Sequence, residues 1–261
     1  MSIGKRIVVG SLFFAAMAGI LVWSGNGWLF GGAPQKVIDW VSDAWNHRPT
    51  GYSQAAGKPG PGLDLQGADM AALANQAASV PVVLEPAGNY DVDAFGDGWA
   101  SIGGGCTIRD QVLDRDLTDV TYSDGSRCQV ATGTLVDPYR GFTVDFTRGQ
   151  ATSAAVQIDH VVPRAVAWRT GANAWTDDQR ETFSNDTLNL LAVDGPSNGA
   201  KSDKTLAEFA NATAKDGGPA LAEQGRCDYA ARYVSVVVKY GLGMYQADKD
   251  YAVSTLTGCA A

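Results

Sequence analysis

Hydrophobic and polar positions change rhythm several times along this chain. Ile7 to Trp23 carries no charged residue and follows Lys5 and Arg6. Its length lies between the apolar segment of a cleaved signal and a membrane-spanning helix, and the basic flank predicts export of the remainder of the chain. A retained anchor and a cleaved signal are both open, with residues 1–24 as that segment. Val37, Ile38, Trp40, Val41, Ala44 and Trp45 recur at helical spacing, which predicts a short amphipathic helix. His47 follows it as a solvated side chain. The Pro- and Gly-rich stretch Gly57 to Gly62 then closes a linker over residues 25–62.

From residue 63 to 261 the pattern reads as one domain. Asp69 to Ala78 has helical composition, and Val80 to Leu84 is a short extended run. Ile108 to Leu117 reads as a helix with Val112 and Leu113 turned inward. Cys128 to Val136 and Phe142 to Phe146 have strand character and flank the turn Asp137-Pro138-Tyr139-Arg140-Gly141, which predicts a hairpin. Tyr229 to Tyr240 is apolar on one face, with Arg232 and Lys239 on the other, as expected of a core helix. Short strands mixed with separated helices predict an α+β fold.

Composition narrows the function. The net charge of -8 over 261 residues argues against a protein that coats nucleic acid or anionic membrane by bulk electrostatics. Between residues 100 and 204 acidic side chains also outnumber basic ones, so affinity for duplex DNA should be modest and salt-sensitive. Cys106, Cys128, Cys227 and Cys259 form no Cys-x-x-Cys pair, which disfavours a zinc ribbon. In an exported chain they are expected as disulfides. Pairing Cys106 with Cys128 and Cys227 with Cys259 closes two local loops. His47 and His160 are the two histidines, so any His-dependent mechanism passes through one of them.

The segment Val156 to Lys204 holds the candidate chemistry. Val156 to Pro163 reads as a strand ending in Asp159-His160, and Leu190 to Val193 as a second strand. After a Gly-Pro turn, Ser197 is placed to cap a helix carrying Asn198 and Lys201. A hard divalent cation takes oxygen ligands, which Asp159 and Asn198 supply. Water attacking a phosphodiester needs a base, and histidine has a suitable ordinary pKa. Asn189 is placed to orient His160. The competing reading makes Asp159-His160 a structural hydrogen-bonded pair and the asparagines turn and cap formers. Asp186 and Asp194 read as turn formers.

At these positions the chain resembles the HNH nucleases. The carrying residues are Asp159-His160-x-x-Pro163, Asn189-Leu190, a ligand position nine residues beyond Asn189, and Lys201. That third position, usually His, is Asn198 in this chain. More specifically, the chain resembles exported proteins with a GmrSD-type HNH endonuclease C-terminal domain, through Cys106 to Leu117, Asp137 to Gly141, Arg148-Gly149, Gln157 to Val162 and Asn185 to Asn198. After Lys201, Asn211 to Pro219 departs from the Trp-x-Pro-like segment of that family.

The resemblance implies a ββα-metal core with added helices and a β-hairpin, and a metal-dependent endonuclease. It implies His160 as general base, Asp159 and Asn198 as metal ligands, and Asn189 as the residue orienting His160. Lys201 and Arg109 are then expected to face phosphate. The expected cation is Mg²⁺, with Mn²⁺ and Zn²⁺ as alternatives. The expected substrate is nucleic acid, DNA or else RNA, cut with low sequence selectivity outside the cell or at its outer face. The alternative is a non-catalytic, disulfide-braced surface binding domain on the same fold. A His-Ser hydrolase is disfavoured because Asp159, adjacent to His160 in sequence, cannot easily act as the acid that orients it.

Overall fold

A computed structural model describes residues 20–24, 27–31 and 68–260. They fall in two units, divided between Tyr52 and Ser53. In the first, β1 (Ile20–Ser24) pairs antiparallel with β2 (Gly27–Gly31). The end of the apolar leader, Ile20 to Trp23, is therefore strand where a helix was expected. The rest of that run and the helix expected at 37–45 lie outside the described residues. Among those residues no helix is long and apolar enough to cross a membrane.

The first described element of the second unit is α1 (Met70–Ser79), capped by Asp69, whose carboxylate accepts the Ala72 amide at 2.8 Å. The extended run after it contributes one parallel bridge, Val82 to Met244, and leaves Leu84 exposed. A small ribbon, β3 (Ser101–Gly103) with β4 (Cys106–Thr107), leads into α2 (Ile108–Asp116). Thr107 and Asp110 form a capping box there. Val112 and Leu113 are fully buried, as their spacing predicted.

Next come β5 (Thr118–Tyr122), β6 (Val130–Val136) and β7 (Thr143–Thr147), an antiparallel sheet in that order. The predicted hairpin is β6–β7. Its turn is closed by the Asp137 amide on the Phe142 carbonyl at 2.7 Å, and Gly141 supplies the positive φ of 74°.

β8 (Val156–His160) is followed by α3 (Arg164–Thr170) and α4 (Asp177–Ser184) before its partner β9 (Leu190–Asp194). The antiparallel register sets His160 opposite Leu190 and Val156 opposite Asp194. All of β9 is buried, so its alternation of faces is invisible in the sequence. α5 (Gly195–Lys201) leaves β9 with no connecting loop. Its cap is Asp194, whose carboxylate accepts the Ser197 amide, so the cap lies three residues before the expected Ser197. Gly195 is required at this point because a Cβ would lie 2.5 Å from the Ala154 carbonyl oxygen.

α6 (Leu206–Ala210), α7 (Arg226–Tyr240) and α8 (Gln246–Cys259) complete the unit, with α8 packed on α1 and α7. Arg232, expected on the polar face of α7, is buried and donates to the Leu188 carbonyl at 2.9 Å. The core centres on Tyr139, Phe209, Tyr229 and Tyr233, with Tyr139 and Tyr229 edge to face at 5.4 Å. Both expected disulfides form, Cys106–Cys128 and Cys227–Cys259. The second ties the start of α7 to the end of α8.

Candidate active site

Alternation along β8 sends Gln157 and Asp159 to one face and Ile158 and His160 to the other. α5 covers the first face in matching register. Asn198 donates its amide to Gln157 Oε1 at 2.8 Å, and Lys201, one turn on, meets Asp159. A two-residue step on the strand is thus paired with a three-residue step on the helix. Both pairs hold α5 against the strand.

The Asp159 side is closed. Lys201 is fully buried, with Nζ 2.9 and 3.1 Å from the two Asp159 oxygens and 2.8 Å from the His160 carbonyl oxygen. Tyr139, also fully buried, donates its hydroxyl to Asp159 Oδ2 at 2.5 Å. Burial raises the Asp159 pKa and lowers that of Lys201, while their mutual attraction works against both shifts. Lys201 therefore does not face a phosphate, because its ammonium is turned inward to neutralise a carboxylate that burial would otherwise leave uncompensated.

His160 sits on the other face. Its Nε2 lies 2.9 Å from the Ser184 carbonyl oxygen at the end of α4. A carbonyl accepts only, so Nε2 carries the proton and Nδ1 presents its lone pair. The ring stacks on Trp99 at 5.8 Å between centroids and 16° between planes. The Trp99 loop is fastened by the Ala100 amide on Asn185 Oδ1 at 2.8 Å. Burial, then the positive charge of Arg164, pushes the imidazole pKa down to about 3. The ring is neutral at physiological pH.

Asn189 does not touch the His160 ring. Fully buried, it brackets Val162, accepting its amide at 2.8 Å and donating to its carbonyl at 3.2 Å. Its own carbonyl accepts the Val161 amide at 2.8 Å. These bonds pin the chain immediately after His160, so any orienting effect of Asn189 runs through the backbone. The direct ring partners, Ser184 and Trp99, escaped the sequence reading because a backbone carbonyl has no side-chain signature.

Arg109 is placed elsewhere. Its guanidinium donates to the Val156 carbonyl at 3.3 Å and lies 5.8 Å from the Phe146 ring. That is the opposite end of β8 from His160, roughly 13 Å away at strand rise. Arg164, at the start of α3, acts on His160 more strongly than Lys201 does. It is partly exposed, and its side chain makes no hydrogen bond or ion pair among the described residues.

A second acidic group lies beneath the site. Asp137 and Asp194 are fully buried and share Ser197, whose hydroxyl donates at 3.1 and 3.0 Å. Asp137 also accepts the Asp194 and Arg140 amides, both at 2.9 Å. Burial, then the Asp194 charge, pushes Asp137 up to about 7. Asp194, read from sequence as a turn former, caps α5.

This donor set does not fit a divalent cation while Lys201 holds Asp159. Both carboxylate oxygens are engaged, and Asn198 keeps only its amide oxygen to offer. Among the described residues no three His, Cys, Asp or Glu side chains group as a metal site.

Over 176 residues the chain is 35% identical to an "Uncharacterized secreted protein" of Arthroderma benhamiae, covering 67% of this chain and 78% of that one. No solved structure matches. Residues 107–251 match the family described as GmrSD restriction endonucleases, C-terminal domain. They contain His160, Asp159, Asn189 and Asn198 together with Tyr139 and Ser184, and the chain belongs to that family.

Proposed function

We propose that this protein is an exported nuclease that hydrolyses phosphodiester bonds of DNA, or of RNA, with little sequence selectivity, and that His160 activates the attacking water. The carrying observation is the ring geometry: Nε2 is fixed on Ser184, and Nδ1 is a neutral acceptor with no partner among the described residues. Family membership supplies the reaction class. The β8, β9 and α5 elements are read as the ββα core. The two disulfides and the relative named as secreted support an extracellular site of action.

In the proposed step, water approaches phosphorus as its proton passes to His160 Nδ1. The new P–O bond forms as the bond to the leaving sugar oxygen breaks, and that oxygen takes a proton from solvent, giving a phosphate monoester end and a hydroxyl end. The proton returns from His160 to solvent. The Ser184 carbonyl stabilises the imidazolium formed in transit, as an acceptor on the far nitrogen does in other histidine bases. Arg164 contributes the phosphate contact that the sequence pattern assigned to Arg109 and Lys201, since its guanidinium makes no hydrogen bond or ion pair among the described residues and its charge is felt at His160.

The decisive assay incubates plasmid DNA and RNA with the full chain and with His160→Ala, in Mg²⁺, Mn²⁺, Zn²⁺ or EDTA. Cleavage by the parent and its loss in the variant is the expected result; equal cleavage by both removes His160 from the mechanism. The engagement of Asp159 by Lys201 favours one competing reading, a non-catalytic binding domain on the nuclease fold. Nucleic-acid binding without cleavage under every metal condition would establish that reading instead.

A further inference from the structure

We infer that Lys201 is the resident counter-cation of Asp159, and that a divalent ion reaches this carboxylate only by displacing the Lys201 ammonium. The inference rests on reading Asp159 and Asn198 as the family's cation-facing pair, and concerns what controls access to them. Three observations carry it. First, Lys201 has no solvent exposure, and its Nζ spans both Asp159 oxygens at 2.9 and 3.1 Å. Second, Tyr139 occupies a remaining acceptor position on Oδ2 at 2.5 Å. Third, Asn198 sits one helical turn before Lys201, opposite Gln157, so the two side chains share one face of α5.

Lys201 Nζ reaches both Asp159 oxygens, and the Tyr139 hydroxyl takes a further position on Oδ2. A divalent ion about 2.0–2.1 Å from an oxygen needs the space and the charge that Nζ now takes. The third Lys201 contact, the His160 carbonyl at 2.8 Å, ties the same ammonium to the residue proposed as base. Release of Lys201 would therefore loosen the backbone under His160 as the carboxylate opens. Lys201 is thus a positioning residue, and its replacement changes cation affinity before it changes chemistry.

The test measures Mn²⁺ binding directly, by the loss of the free-ion electron paramagnetic resonance signal, in the full chain without nucleic acid. Parent, Lys201→Met and the double variant Lys201→Met, Asp159→Asn are compared. Removing the ammonium while keeping the stem should tighten Mn²⁺ binding by at least about tenfold, 1.4 kcal/mol in affinity, and the double variant should lose that gain. Equal or weaker binding in Lys201→Met overturns the inference, as does no binding in either protein.

Should Lys201→Met fail to fold, amine labelling of the parent decides. Reductive methylation at Lys201, read by peptide mass, should rise several-fold under saturating Mn²⁺, and an unchanged yield with Mn²⁺ bound overturns it. None of these readouts uses cleavage. Failure of the His160→Ala assay and failure of the Lys201 inference are thus distinguishable.

Discussion

The Ser184 carbonyl oxygen lies 2.9 Å from His160 Nε2, and that contact decides which nitrogen of the ring can act. With Nε2–H committed, a proton can be taken only at Nδ1. The depressed pKa, about 3, then gives a specific pH signature. In kcat/KM the acid limb reports the base in the free enzyme. Activity should stay level from about pH 7 down to about pH 5 and fall as pH approaches the folded-state pKa. A limb centred near 6.5, the ordinary histidine value, would mean that the ring is solvated or that another group is the base.

Trp99 supplies part of that desolvation by lying parallel to the ring. Trp99→Ala should let water reach the imidazole, moving the acid limb upward toward about 6.5 and lowering kcat by roughly tenfold through lost orientation. The matched control is Trp99→Phe, which keeps a flat apolar surface and should restore most of both. A drop in kcat with an unmoved acid limb would assign Trp99 to substrate contact instead of positioning.

Much of this was legible in the pattern of the chain. The β6–β7 hairpin announced itself by alternation across a Pro-Gly turn, and Val112 and Leu113 by helical spacing. Local loop closure also named both disulfides. What was not legible was direction. Asp159 and His160 are neighbours in sequence but leave β8 on opposite faces, so a set that looked convergent divides between α5 and Ser184. Lys201 was expected at a phosphate and Arg232 on a polar helix face, because side chains of their type are seldom fully buried. Burial became possible only where Asp159 and the Leu188 carbonyl met them, and tertiary pairing of that kind leaves no periodic trace.

Asn189 gives the clearest separation of structural from chemical roles. Asn189→Ala strands the amide and carbonyl of Val162, each of which then costs about 1–3 kcal/mol if buried without a partner. Chemical denaturation should show a loss of about 3 kcal/mol in stability with an unchanged slope. Because the pinned residues directly follow His160, kcat should fall too while KM stays near its parent value. A stable but inactive variant would place Asn189 in contact with the reacting groups.

The two arginines should part under the same treatment. Arg164→Ala should raise KM for DNA about tenfold, the loss of one charged hydrogen bond, and reduce the salt dependence of binding by about one unit of slope. Arg109→Ala should leave KM and the salt slope alone and cost stability instead, since its guanidinium serves the Val156 carbonyl at the far end of β8. A raised KM in Arg109→Ala would return that residue to the substrate cleft.

Stability should depend on pH through two groups of opposite sign. His160 has a folded pKa of about 3 against an ordinary 6.5, so the unfolded chain binds its proton first. Its effect is a loss of stability as pH falls from about 6.5 toward 3. Asp137 is the reverse, about 7 when folded against an ordinary 3.8. The folded state retains a proton that the unfolded state has released, and the associated stability disappears as pH rises through about 7. The parent should therefore hold its Tm nearly level between about pH 4 and 6.5, where the two effects oppose each other, and lose Tm as pH rises from there to about 7. Asp137→Asn, which keeps an amide oxygen for the Asp194 and Arg140 amides, should flatten that decline while leaving the acid-side loss in place. If the decline persists unchanged in Asp137→Asn, Asp137 does not hold the proton responsible for it.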